Sequence, residues 1–138
     1  MSFEVFPPKK NGSVETVYNT IAELQSLRPD YISVTYGAGG GTSDFTVKIA
    51  EDIEKNHGVT ALAHLTCVSS TKETVRQKIN EIMAAGIENV MALRGDIPAG
   101  MENADRSEWD YRYAIDLIHE LKSANTDFCV GGACYPEI

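Results

Sequence analysis

The stretch Asn89-Val-Met-Ala-Leu-Arg-Gly-Asp96 decides how the rest of the chain is interpreted. It is a short apolar run that ends abruptly in a cation, a glycine and a carboxylate, which is typical of a buried parallel strand followed by a turn. In α/β proteins, ligands bind at the carboxyl ends of such strands. Arg94 and Asp96 are therefore the first candidate site residues. The alternative for them is a local ion pair that closes a loop.

The spacing within this stretch also predicts which side chains share a face. Alternate residues of a strand point to the same side of a sheet. Val90, Ala92, Arg94 and Asp96 therefore form one set. We expect one face of this strand to become polar where the strand ends.

The composition is that of an ordinary globular protein. The chain has 138 residues, of which 43% are hydrophobic and 23% charged, and this length suffices for one core. A formal net charge of −8 argues against nucleic acid or an anionic membrane as a partner, because both need concentrated positive charge. A small molecule or another protein is the favoured partner.

The cysteines and the start of the chain indicate a cellular location. The three cysteines show no Cys-x-x-Cys spacing, so they indicate neither a disulfide framework nor a zinc site. The chain begins Met-Ser-Phe-Glu, without a signal-peptide core, and contains no run of about 18 apolar residues. We expect reduced thiols in a cytoplasmic protein with no membrane association.

Strand and helix patterns alternate along the chain. Strands are predicted at 2–6, 31–36, 61–67, 89–96 and 128–135, and amphipathic helices between them open at Ser13, near Thr42, at Ser70 or Thr71, and before Ala114. Leu27 is predicted as the last inward-facing residue of the first helix. Such alternation predicts right-handed parallel βαβ units, which suit either a doubly wound sheet or a (β/α)8 barrel of the TIM-barrel type.

Polar residues favour the barrel. At alternate positions near strand ends stand Glu4, Ser33, Thr35, His64, Thr66, Arg94 and Asp96. This is expected if successive strands turn one face toward a shared barrel mouth. A complete barrel takes about 250 residues, so about five parallel strands and four helices make an incomplete one with open edges. We expect a truncated chain, or one completed by a partner subunit or a second copy.

Two other features are weaker. Gly39-Gly-Gly41 is not a phosphate loop, because no Gly-Lys-Ser/Thr follows and the dinucleotide fingerprint is absent. A close backbone approach to a ligand and a bare flexible turn both remain open. A lone histidine in an apolar strand, such as His64, is more often a hydrogen-bonded core residue than a catalyst. Without a second His or Cys at ligand spacing, we expect no metal site.

Glu4 lies in an otherwise apolar first strand. Such a carboxylate must be paired, exposed at the strand end, or kept protonated by desolvation. Desolvation raises the pKa of a carboxyl group, and a raised pKa would suit a general acid that works near neutral pH. The alternative is a glutamate that reaches solvent at a frayed chain start.

Five segments, taken together, resemble the methylenetetrahydrofolate reductase family in order and spacing. They are Ser2-Phe-Glu-Val-Phe-Pro-Pro8, Ser33-Val-Thr-Tyr-Gly-Ala38, His64-Leu-Thr-Cys67, Ala92-Leu-Arg-Gly-Asp96 and Ala133-Cys-Tyr-Pro-Glu137. The resemblance implies that residues 1–138 are one domain, the N-terminal portion of that family's FAD-containing barrel. It further implies reduction of 5,10-methylenetetrahydrofolate to 5-methyltetrahydrofolate, in one-carbon metabolism and methionine supply, with NADH or NADPH as the source of electrons for FAD.

The resemblance also implies roles for individual residues. The family's acid falls on Glu4, which would protonate the folate so that its five-membered ring opens to the reactive iminium. The family's active-site aspartate falls on Asp96, where a carboxylate would contact pterin and flavin and favour developing positive charge. The residues that would line the flavin are Thr35, Tyr36, Ala38, His64, Arg94, Gly95, Asp96, Tyr113, Ala114 and Tyr135. Arg94 would pair with the flavin's phosphate or ring oxygens.

Other functions remain open at this point. One is a non-enzymatic half-barrel module that docks onto another subunit to complete its sheet. Another is an aldolase-like barrel, which would need a lysine that bonds its substrate. No lysine lies within a predicted strand, which argues against the aldolase.

Overall fold

The structure, a computed structural model, describes residues 1–9, 12–37, 43–134 and 136. Strands and helices alternate along these residues, as the sequence predicts. They are β1 (Ser2–Val5), α1 (Val14–Gln25), β2 (Tyr31–Val34), α2 (Ser43–His57), β3 (Thr60–Thr66), α3 (Lys72–Ala84), β4 (Asn89–Leu93), α4 (Ala114–Ala124) and β5 (Cys129–Gly132). A short 3₁₀ turn, Arg106–Glu108, lies in the connection between β4 and α4.

The strands form one parallel sheet in the order β1-β2-β3-β4-β5. A doubly wound fold would reverse this order at a switch point, and the described strands show no reversal. Sequential order is the arrangement of consecutive units in a (β/α)8 barrel. The predicted α/β class with five parallel strands and four helices is confirmed, and the open sheet is consistent with a partial barrel.

One face of the sheet forms the core together with the helices. Its residues on β2, β3 and β4, all at most 1% exposed, are Ile32, Val34, Ala61, Ala63, Leu65, Val90 and Ala92. They belong to one apolar cluster with buried residues of all four helices, among them Ile21, Ile53, Ile79 and Leu117. Burial of apolar surface contributes about 25 cal/mol per Å². The other set of alternating strand residues lies outside this cluster, so the opposite face of the sheet is open.

Local signals set several of the helix ends. The Ser13 side chain accepts a hydrogen bond from Glu15 N at 3.2 Å, and the Thr71 side chain accepts one from Thr74 N at 3.2 Å. Each is an N-cap that satisfies a backbone donor of the first turn. Past the end of α2, Gly58 adopts a φ of +63°, a conformation that glycine adopts without strain.

Several predicted elements extend too far, among them the second strand, which ends at Val34, and the fourth, which ends at Leu93. The first helix ends at Gln25, and Leu27 lies beyond it with 54% of its surface exposed, because the chain turns at Arg28, whose φ is +52°. The fifth strand ends at Gly132, where the last ladder pair joins it to Ala92. Ala133 and Cys134 lie beyond its end, so the predicted strand extends too far, and its last predicted residue, Tyr135, lies outside the described residues.

In the part of the chain that the structure describes, no helix is long and apolar enough to cross a membrane.

Candidate active site

The open face of the sheet brings four polar residues together. Glu4 pairs with Ser33 across β1 and β2, and Ser33 pairs with Leu62, which lies two residues before His64 on β3. Strand periodicity therefore places Glu4, Ser33, His64 and Thr66 on one face. On β4, Met91 and Leu93 pair with His64 and Thr66 and extend the same face with apolar side chains.

Glu4, on the edge strand β1, contacts one residue of β2 and one of β3. Its Oε2 lies 3.6 Å from His64 Nε2, an ion-pair distance that is too long for a hydrogen bond. The Ser33 hydroxyl donates to the same oxygen at 3.4 Å. The Glu4 side chain is 47% exposed, whereas that of His64 is 13% exposed. Of the environments that the sequence left open for Glu4, the structure shows a carboxyl group that contacts Ser33 and His64 and is also reached by solvent.

His64 belongs to this open face, not to the apolar core beneath the helices. Burial lowers the pKa of its imidazole below the usual 6.5, and the nearby Glu4 carboxylate partly opposes that effect. The ring is therefore neutral at pH 7. A neutral imidazole has one donor and one acceptor nitrogen, so it can partner a carboxyl group in either protonation state.

The strand alternation expected for the fourth strand stops at Leu93. Val90 and Ala92 are buried beneath the helices, on the side of the sheet opposite to Glu4. β4 ends before Arg94, and Gly95 has a φ of +86°, so the backbone turns before Asp96. The predicted set of four residues on one face is therefore wrong for Arg94 and Asp96, because alternation requires extended backbone.

Backbone contacts hold this turn against the end of β3. The Arg94 carbonyl accepts hydrogen bonds from Cys67 N at 3.2 Å and Val68 N at 2.7 Å. A Cβ on Gly95 would lie 3.0 Å from both Thr66 Cβ and Val68 Cγ1. Glycine is required here by its backbone conformation and by the close approach of β3.

The side chains of Arg94 and Asp96 are both exposed at the carboxyl end of the sheet. Arg94 Nε donates to the carbonyl of Gly95 at 3.2 Å. Among the ion pairs that join described residues, none links Arg94 to Asp96, so the alternative of a loop-closing pair is wrong. Nor does a hydrogen bond join Asp96 to Glu4 within the described ranges. The guanidinium and the second carboxylate thus remain accessible.

Thr35 and Tyr36, two of the predicted flavin contacts, directly follow β2 and are half-buried. Thr35 N donates to Val5 O at 3.1 Å, and Thr35 O accepts a bond of 2.9 Å from the Thr46 hydroxyl. These bonds hold the backbone beside the end of β1. The predicted contact Ala38 lies outside the described residues.

Tyr113 and Ala114 begin α4, where Tyr113 is the N-cap and is 65% exposed. The Cys67 thiol lies 3.8 Å from the Tyr113 carbonyl oxygen, which places the start of α4 at the carboxyl end of β3. Burial raises the pKa of the Cys67 thiol to about 11, so this cysteine is not a thiolate at neutral pH. The predicted contact Tyr135 lies outside the described residues.

Ser33 belongs to the strand alternation seen in the sequence, but the sequence pattern predicts no role for it. The structure shows Ser33 to be 6% exposed and in contact with Glu4. The register between β1 and β2 is the missing information, since it decides which residue of β2 faces Glu4.

The described residues also bear on a metal site and on an aldolase-like site. No group of three or more His, Cys, Asp or Glu side chains in the described ranges could hold a metal ion. The five strands as the structure bounds them contain no lysine, the residue that an aldolase-like site would need.

Comparisons with known proteins identify relatives of the whole chain. A family model described as "Methylenetetrahydrofolate reductase" matches residues 1–138. Proteins named "5,10-methylenetetrahydrofolate reductase" from Pectobacterium carotovorum subsp. carotovorum and Escherichia coli (strain K12) are each 38% identical to it over 138 residues, which is 100% of this chain and 44% of each relative. "Methylenetetrahydrofolate reductase (NADH) 1" of Arabidopsis thaliana is 37% identical over 137 residues, 99% of this chain and 23% of that protein. The chain thus spans less than half the length of the curated relatives it matches.

Proposed function

The chain belongs to the methylenetetrahydrofolate reductase family, and from that premise we propose that it is the N-terminal portion of a flavin-dependent reductase barrel. The complete protein would reduce 5,10-methylenetetrahydrofolate to 5-methyltetrahydrofolate, with NADH or NADPH as electron donor. The sequential strand order and the open sheet face support this assignment. The rest of the barrel, from the same polypeptide or from a partner subunit, would cover that face and pair with the edges of β1 and β5.

The observation that carries the proposal is the position of Glu4. Its carboxyl group lies on the open face, where a ligand in the barrel mouth would be, and not beneath the helices. It is partly exposed and is contacted through one oxygen by Ser33 and His64. A general acid needs both access to its substrate and a fixed orientation.

The residues of the open face suit a flavin. A ligand site for an aromatic ring combines apolar surface with a few placed polar groups. Met91 and Leu93 supply apolar surface beside the hydroxyl of Thr66 and the neutral imidazole of His64. Arg94, which forms no ion pair with any carboxylate among the described residues, is available for a phosphate.

Each proposed residue has a separate task. FAD, when bound, supplies the hydride chemistry. Glu4 donates a proton to the folate, and Asp96 provides a negative charge that favours the cationic character developing on the folate. The remaining proposed flavin contacts are Thr35, Tyr36, Ala38, His64, Gly95, Tyr113, Ala114 and Tyr135.

We also place the protein in the cytoplasm. Cys67, Cys129 and Cys134 are free thiols, which supports a reducing compartment.

The test uses a protein in which this chain is joined to the rest of the barrel. We expect it to be yellow, with a flavin spectrum that NADH or NADPH bleaches and that 5,10-methylenetetrahydrofolate restores. Glu4→Gln should retain bleaching by the donor but slow reoxidation by the folate by roughly 100-fold or more, because the proton donor is lost.

Glu23→Gln, at an exposed position of α1, is the matched control and should leave both half-reactions unchanged. A colourless protein would refute the flavin assignment. Equal reoxidation rates for Glu4→Gln and the unmodified protein would refute the role of Glu4 as acid.

A further inference from the structure

Ser33 is a buried polar residue whose hydroxyl has its partners on β1. It is 6% exposed, and its Oγ lies 3.4 Å from Glu4 Oε2 and 3.5 Å from the carbonyl oxygen of Phe3. A buried hydroxyl needs a hydrogen-bond partner, because leaving it unpaired destabilises the fold. The β1–β2 register places Glu4 directly opposite Ser33, so this contact is built into the strand pairing.

The contacts of Glu4 are concentrated on one of its two carboxyl oxygens. Both Ser33 Oγ, at 3.4 Å, and His64 Nε2, at 3.6 Å, approach Oε2. Within the described residues, no hydrogen bond to Oε1 is formed. One oxygen of the side chain is therefore hydrogen-bonded from β2 and lies beside His64 of β3, while the other oxygen forms no hydrogen bond with a described residue.

We propose that Ser33 is a positioning residue that holds Oε2 of Glu4 beside His64 and leaves Oε1 directed toward the ligand. A serine hydroxyl can donate to a carboxylate or accept from a protonated carboxyl group by rotating about its C–O bond. It can therefore hold Glu4 in the same place before and after proton transfer. The catalytic purpose of this anchoring rests on the proposed function, but the anchoring itself is a property of the present chain.

The pKa of His64 reports whether Glu4 is held in place. The Glu4 carboxylate is the charged group that acts on His64, and it raises the pKa of that ring against the effect of burial. The side chains of Leu62 and Met91, which accompany His64 on the open face of β3 and β4, are uncharged. A carboxylate that moves away from His64 would therefore lower the His64 titration midpoint.

The first experiment follows the imidazole resonances of this chain by NMR as the pH is varied. Glu4→Gln should lower the His64 midpoint by roughly half a pH unit to one unit, because the attractive charge is removed. Ser33→Ala should lower it in the same direction by a smaller amount. In the Glu4→Gln background, Ser33→Ala should cause no further change, since its effect acts through Glu4.

His119, which is exposed on α4, is the internal control and should titrate identically in every variant. Ser33→Thr retains the hydroxyl and should restore the unmodified midpoint. If Ser33→Ala does not fold, Ser33→Cys provides a weaker donor of similar size and should give an intermediate value.

A His64 midpoint that moves in Glu4→Gln but not in the Ser33 variants would show that Ser33 is purely structural and would overturn the proposal. A His64 midpoint that is unchanged both in Glu4→Gln and in the Ser33 variants would overturn the proposal as well.

The second experiment separates this proposal from the function proposed above. In the protein with a complete barrel, Ser33→Ala should slow folate reduction by roughly 10- to 100-fold, because a displaced acid loses its alignment, and should leave flavin reduction by the donor unchanged. If Glu4→Gln retains full folate reduction while the NMR coupling is present, the acid assignment fails and the anchoring stands. If Glu4→Gln loses folate reduction while Ser33→Ala has no effect in either experiment, the function stands and the positioning role fails.

Discussion

At the scale of single residues, Gly95 shows how backbone conformation and packing act at one position. It has a φ of +86°, and an added Cβ would lie 3.0 Å from atoms of Thr66 and Val68. We expect Gly95→Ala to lower the free energy of unfolding by about 2–4 kcal/mol, through strain and steric conflict together. Urea denaturation measures this change.

Gly100 provides the matched comparison for Gly95. Its φ is +87°, but an added Cβ would meet no atom within 4 Å. Gly100→Ala should therefore cost about 1 kcal/mol from backbone strain alone. Equal losses in the two variants would show that close packing against β3 contributes nothing at Gly95.

His64 gives a second prediction at this scale, on the pH dependence of stability. Its pKa in the folded chain is lowered by burial, so the unfolded chain takes up a proton at higher pH than the folded chain does. The stability that depends on its neutral form is fully present above the unfolded pKa of about 6.5 and is lost as the pH falls through the folded pKa. We expect His64→Gln to reduce the loss of stability between about pH 7 and pH 5.

The measurement is urea denaturation at several pH values. His119→Gln, at an exposed position of α4, should keep the pH dependence of the unmodified chain. An unchanged pH dependence in His64→Gln would contradict the lowered pKa.

At the scale of secondary structure, the start of α4 depends on Asp116. Its Oδ2 accepts hydrogen bonds from Arg112 N at 2.9 Å and Tyr113 N at 3.0 Å, and these bonds lower the pKa of its carboxyl group. These bonds hold the start of α4, where Tyr113 and Ala114 are the flavin contacts that we propose. We expect Asp116→Ala to destabilise the chain by about 1 kcal/mol, the usual effect of losing a helix cap.

The sign of the pH effect follows from the lowered pKa of Asp116. The stabilisation is present above the unfolded pKa of about 3.9 and is lost as the pH falls through the folded pKa. Urea denaturation near neutral pH should therefore show the full difference between Asp116→Ala and the unmodified chain. Ser123→Ala, at an exposed position later in α4, should be close to neutral. A loss in Ser123→Ala as large as that in Asp116→Ala would indicate general helix weakening and not a cap.

At the scale of the whole molecule, the sheet leaves one face open, which is consistent with a partial barrel. Leu62, Met91 and Leu93 lie half-buried on that face, outside the core cluster. We expect this chain to bind the dye 1-anilinonaphthalene-8-sulfonate there, and the double variant Leu62→Ser with Met91→Ser to bind it more weakly. Dye fluorescence provides the measurement.

Ile115→Ser, which replaces a side chain that is 51% exposed on α4, is the control and should leave dye binding unchanged. A protein with the complete barrel should bind much less dye, because the remaining units cover the face. Equal dye binding by the double variant and the unmodified chain would show that the dye does not bind to the open face of the sheet.

The sequence alone was sufficient for the order and type of the elements, because each depends on local information. Helical spacing of apolar residues, capping by Ser13 and Thr71, and apolar runs bounded by turns are all properties of neighbouring residues. The resemblance of five short segments to one family was equally visible. The end of the first helix before Leu27 and the end of the fifth strand could not be predicted in this way. They depend on the turn at Arg28 and on the pairing with β4.

Only the tertiary structure decided which side chains meet. The β1–β2 register brings Ser33 to Glu4, and the β2–β3 register brings His64 to the same oxygen, although these residues are far apart in sequence. The end of β4 at Leu93 removes Arg94 and Asp96 from the alternation that the sequence suggests. The physical reason is that register and strand ends are set by pairing between strands, and a shift of one residue would turn every side chain to the other face.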